Sequence, residues 1–99
     1  MIVTVTQEDI DSGVANSCGK CPVALALQRL FPGKEISVDY RTTFIGDRYN
    51  GGDSYQNERE ARHFLGEYDG GRPVFPTSVT LLPFNPLLIN EPIKENTCV

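Results

Sequence analysis

Cys18-Gly19-Lys20-Cys21-Pro22-Val23-Ala24-Leu25-Ala26-Leu27 is the stretch on which the fold turns: two cysteines at CxxC spacing run into a proline and then an alanine-rich apolar segment. Proline at a first helical position loses nothing, because its missing N–H has no intrahelical acceptor there and its fixed φ suits the helix. The pattern predicts a helix from about Pro22 to Phe31, ended by Pro32-Gly33. At about 100° per residue, Val23, Ala24, Ala26, Leu27, Leu30 and Phe31 share one broad face, with Gln28 and Arg29 on the other. A helix patterned this way lies against a core.

The same residues carry the strongest chemical signal in the chain. A helix N-terminus has a partial positive charge that favours thiolate over thiol, so Cys18 and Cys21 are the candidate redox or metal-binding residues, and Cys21 is the thiol expected to ionise first. The alternative is that the pair simply opens a buried helix. A thioredoxin-like site places its CxxC at a helix start directly after a strand, whereas here a short helical turn intervenes and the elements are too few for that layout. Zinc needs about four ligands, and Cys18, Cys21, His63 and Cys98 are the only cysteines and histidine. His63 reads as a solvated helix residue, and a Cys21–His63 nucleophilic pair has no identifiable orienting group. The chain has no Walker loop, GxGxxG or GxSxG.

Working outward, the β-branched run Ile2 to Thr6 predicts an initial strand, and Thr6 with Asp9 makes a capping box for a short helix ending at Gly13. From Glu35 to Ile45 the alternation of Ile36, Val38, Tyr40, Thr42 and Phe44 with Ser37, Asp39, Arg41 and Thr43 predicts one half-buried strand. Gly46-Asp47 then reads as a reversal into a short strand near Arg48 and Tyr49, followed by a loop, Asn50-Gly51-Gly52-Asp53. Asn57 and Glu60 resemble a second capping box, and Ala61, Phe64, Leu65 and Tyr68 fall on one helical face closed by Gly70-Gly71. Arg72 to Leu82 alternates as a strand that begins at a sheet edge, because Pro76 cannot donate to a ladder.

Ninety-nine residues, with 39% hydrophobic and 22% charged, bound a single folded domain. Nine basic residues are scattered against thirteen acidic ones, for a net charge of -4, which disfavours direct nucleic-acid binding. No run approaches the about 18 apolar residues of a membrane span, and Met1 to Thr6 lacks signal-peptide character. The expectation is a cytoplasmic protein whose three cysteines stay as thiols, with no cofactor. Arg41, Arg48, Tyr49 and Asn50, among glycines, are a candidate grip for an anionic small molecule of nucleotide type; the alternative is an ordinary hairpin and loop.

The stretches Val3-Thr4-Val5-Thr6-Gln7-Glu8-Asp9-Ile10-Asp11-Ser12-Gly13, Cys18 to Leu27, Ala61-Arg62-His63-Phe64-Leu65 and Tyr68 to Val74 with Pro76 together resemble a family of small uncharacterised proteins of bacteriophages and bacteria. The resemblance covers about residues 2 to 82 and carries no functional residue across. It implies a phage-type origin, in which small acidic proteins act by binding and blocking a host protein or by sequestering a signalling molecule.

These readings converge on a small single α+β domain over residues 1–83, ordered β-α-α-β(β)-α-β, with helices on one face of a small mixed or antiparallel sheet. Residues 84–99, with Leu87-Leu88-Ile89 between prolines, are expected to form an irregular tail. The expected function is non-enzymatic: binding of a host protein, a defence system such as CRISPR included, with a small-ligand sponge or a CxxC thiol-disulfide or zinc protein as alternatives.

Overall fold

The computed structural model describes residues 1–47 and 51–83. In chain order they form β1 (Ile2–Val5), α1 (Gln7–Ser12), α2 (Pro22–Leu30), β2 (Glu35–Val38), β3 (Thr42–Asp47), β4 (Gly51–Asn57), α3 (Arg59–Asp69) and β5 (Thr77–Pro83). The strands make one five-stranded sheet, ordered β1-β5-β4-β3-β2, and every neighbouring pair is antiparallel. The protein is thus a small α+β domain. No helix among the described residues is long and apolar enough to cross a membrane.

Register places one apolar face inward: Val3 opposite Val79, Ile36 opposite Ile45, Val38 opposite Thr43, and Leu81 opposite Asn57. All eight are buried. The helix α2 packs against both β1 and β2, the two edges of the sheet. Four interstrand gaps would hold the edges of a flat sheet about 19 Å apart, more than the roughly 10 to 12 Å width of one helix. The sheet therefore curls, and α2 fills the mouth between its edges through Val23, Ala24, Ala26 and Leu27. α3 covers β4 and β5 with Ala61, Phe64 and Leu65.

Both edges are partly guarded. The Arg29 guanidinium donates to the Thr4 carbonyl of β1 at 3.3 Å, and the Val38 N–H of β2 donates to the Cys18 carbonyl at 2.8 Å. Covered edge groups are poorer templates for a foreign strand.

The predicted capping box at Thr6 is present: Thr6 Oγ1 accepts from Asp9 N–H at 3.2 Å, and Asp9 Oδ2 accepts from Thr6 N–H at 2.9 Å. Arg29 of α2 adds a 2.7 Å ion pair to Asp9 Oδ1, joining the two helices. Burial pushes the Asp9 carboxyl up, but the Arg29 hydrogen bond and the two from Thr6 outweigh it and hold the group below its ordinary value. A carboxylate with a depressed folded pKa stabilises above its unfolded pKa, and that stability is lost as pH falls through the folded value. Urea titrations are therefore expected to show stability declining below about pH 4, with a visibly flatter decline in Asp9→Asn. An equally steep decline in both proteins would assign the acid sensitivity elsewhere.

Several expectations are corrected. Glu35 to Ile45 is not one strand but the hairpin β2–β3, reversed at Asp39-Tyr40-Arg41, so Thr43 and Ile45 face inward and Thr42 and Phe44 do not. The Gly51-Gly52-Asp53 part of the expected loop belongs to β4, and β3 runs through Gly46-Asp47; Arg48, Tyr49 and Asn50 lie outside the described residues. Gly46 and Gly52 face each other across β3 and β4, and a Cβ on either would strike the other strand or the Phe44 ring, so the backbones need glycine at this crossing.

Asn57 does not cap α3. It ends β4, and Glu58 takes the N-cap position without a side-chain bond. Strand β5 begins at Thr77 rather than Arg72 and lies inside the sheet, between β1 and β4, with Pro76 just ahead of the ladder. On α2, Leu30 is exposed rather than buried. The expected tail, 84–99, falls outside the described residues.

Candidate functional site

The approach to α2 is a tightly tied loop. Val14 N–H donates to Lys20 C=O at 2.8 Å, Cys21 N–H to Ser17 C=O at 3.0 Å, and Gln28 Nε2 to Gly19 C=O at 2.7 Å. Asn16, at φ 59, donates from its N–H to Asp69 Oδ1 at 2.9 Å, fastening the loop to the end of α3. Asn tolerates this left-handed backbone better than most residues.

Within this loop Cys21 is the N-cap of α2, its sulfur accepting from Ala24 N–H at 3.4 Å. It is 2% exposed and a free thiol. Burial, the largest influence, pushes the thiol up to about 11, and the Ala24 and Val23 N–H groups pull back only in part. The expectation that Cys21 ionises first is therefore overturned: desolvation of the thiolate outweighs the helix N-terminus. Nor do all three cysteines stay as thiols, since Cys18 is disulfide-bonded. Because Cys21 is free, that bond is not within the CxxC.

Alkylation should report this directly. Relative to an unperturbed thiol, Cys21 in the folded protein is expected to react about a hundredfold more slowly at neutral pH or slower still once access is counted. Labelling should become rapid in denaturant, with mass spectrometry locating the adduct. Fast labelling of Cys21 in the folded state would overturn the assignment.

The zinc set does not assemble among the described residues, where no three His, Cys, Asp or Glu side chains are placed to hold a metal ion, and Cys98 lies outside them. Cys21 lies near Tyr68 and Asp69, at the C-terminal end of α3. His63 is about 140° round that helix from Tyr68, on the side of a surface groove. Of the candidate anion grip, Arg41 sits in the β2–β3 turn, and Arg48, Tyr49 and Asn50 lie outside the described residues.

The surface feature that sequence reasoning missed is the groove itself, about 820 Å³, between α3 and residues 73–77. Arg59, Glu60, His63, Phe64 and Glu67 form one wall; Pro73, Val74, Phe75, Pro76 and Thr77 form the other. Phe75 is 76% exposed. It is presented by a constrained segment: prolines fix φ at positions 73 and 76, β5 starts at Thr77, and Arg72 is anchored to α3. That anchor is the Arg72–Glu67 ion pair, with Arg72 N–H donating to the Glu67 carbonyl at 2.9 Å. The signal was present as prolines bracketing an aromatic, but the alternation of Phe75 with Thr77, Val79 and Leu81 absorbed it into a strand.

Compared with known proteins, the chain matches no family model, no curated protein and no solved structure.

Proposed function

We propose that the protein works by binding another protein, without catalysis, and that the groove beside Phe75 is where the partner docks. The observation that carries this reading is Phe75, an aromatic ring held out in solvent by a proline-bracketed segment pinned at both ends. Fully desolvated aromatics are frequent anchors of protein interfaces. Pinning the segment beforehand removes ordering entropy that a flexible loop would lose on docking. In the phage-type setting that the sequence pattern implies, the partner is a host protein, a component of a defence system such as CRISPR being one such target.

The test is affinity capture from host lysate with the wild-type chain and a Phe75→Ala variant side by side. A specific partner retained by the wild type should bind the variant at least about tenfold more weakly, the loss typical of an anchor residue. The Phe75 ring is mostly in solvent, so the variant's thermal midpoint should stay within a few degrees of wild type. A partner that binds both proteins equally would place the interface elsewhere.

A further inference from the structure

The occupant of the groove in the isolated protein is named by the groove's own charge pattern, an argument that rests on reading this surface as a protein-docking site. Arg59, His63 and Glu67 follow one another at four-residue steps along the α3 wall. Over the eight steps from Arg59 to Glu67, about 12 Å of helix, the wall runs from a cation to an anion with His63 at its midpoint. The opposite wall, residues 73–77, brings no charge at all.

A wall of this kind complements itself when reversed. A two-fold axis through His63 lays α3 antiparallel to the α3 of a second copy, so that Arg59 of each faces Glu67 of the other. This is the isologous arrangement that closed homodimers use. Glu67 already engages Arg72 through Oε2, and a carboxylate has a second oxygen with which to accept another guanidinium. The apolar parts agree: each copy offers a projecting Phe75 and, on the same surface, a recess floored by Phe64 and Val74 that can receive it. We infer that a second copy of this chain is the groove's occupant, in a two-fold dimer that a heterologous partner must displace.

Sedimentation equilibrium of the full chain, across about 5 to 500 µM, tests this. The wild type should show a monomer–dimer equilibrium, and Phe75→Ala should weaken it. Arg59→Glu and Glu67→Arg should each weaken dimerisation about tenfold, since symmetry places every reversed charge in the interface twice. The double reversal, R59E with E67R, should restore it, because it exchanges the two ends of the wall; since E67R also breaks the Arg72 anchor, Arg72→Ala is measured alongside to give the effect of losing that anchor alone. Circular dichroism melts establish that each variant is folded. A wild-type chain that stays monomeric throughout, or a double reversal that stays as weak as the single ones while Arg72→Ala dimerises like the wild type, would overturn the dimer. Partner capture that depends on Phe75 would survive that result, so the two readings fail separately.

Discussion

Replacing Leu27 by alanine is expected to destabilise the protein by about 4 kcal/mol, the upper part of the range for a fully buried leucine. Leu27 is 0% exposed and sits on α2, which packs against both edges of the sheet. Its removal takes apolar area from the core and leaves a cavity where the curled sheet has least room to collapse. Domains of this size are stable by about 5 to 15 kcal/mol, and each kcal/mol shifts the midpoint by roughly 4 to 8 °C. The thermal midpoint should therefore fall by at least about 15 °C. Leu30→Ala on the same helix is the control: that side chain is exposed, and its loss should cost about 0.5 kcal/mol or less. Urea denaturation of the two variants compares them, and similar losses would show that α2 does not plug the sheet.

The second large effect is expected at Asn57, which is 0% exposed and polar. Its Nδ2 donates to the Asp39 carbonyl at 2.6 Å and the Tyr40 carbonyl at 3.1 Å, and its Oδ1 accepts from Thr43 Oγ1 at 2.7 Å. Its backbone N–H donates to the Arg41 carbonyl at 2.8 Å. One side chain at the end of β4 thus ties down the reversal between β2 and β3. Asn57→Ala strands the Thr43 hydroxyl in the core and frees the turn, a cost of about 3 kcal/mol when buried partners lose their bonds. Thr43→Val placed on top of it removes the stranded hydroxyl, so the double variant should be about 1 kcal/mol more stable than additivity predicts. Additive losses in a double-mutant cycle would deny the coupling.

Asn57 also shows why part of the fold was illegible. As a short polar residue three positions ahead of Glu60, it fits a helix cap by every local criterion. Its actual partners are 14 to 18 residues away in the chain. The same distance hid the β2–β3 reversal, which contains no glycine or proline: Asp39, Tyr40 and Arg41 turn because Asn57 collects their carbonyls. Missing the turn inverted the inward and outward assignment of Thr42 to Ile45, since a strand's side chains alternate.

The surroundings of Cys21 were hidden for a related reason. CxxC at a helix start was legible, and so was its electrostatic advantage. Its burial was not, and burial is what raises the Cys21 thiol. Phe75 was likewise legible as an apolar residue in an alternating run, but its exposure depends on where β5 begins, and that follows from pairing with β1 and β4.

By itself the sequence determined those features whose causes lie within a few residues of one another. These are the Thr6–Asp9 capping box, Pro22 at the head of α2, the apolar faces of α2 and α3, the Gly70-Gly71 stop, and with them the α+β class. Only the tertiary structure decided the strand order, the hairpin at Asp39-Tyr40-Arg41, the burial of Cys21 and the exposure of Phe75. The reason is physical: capping and helix periodicity act through neighbouring backbone groups, whereas desolvation and strand pairing depend on residues that only folding brings together.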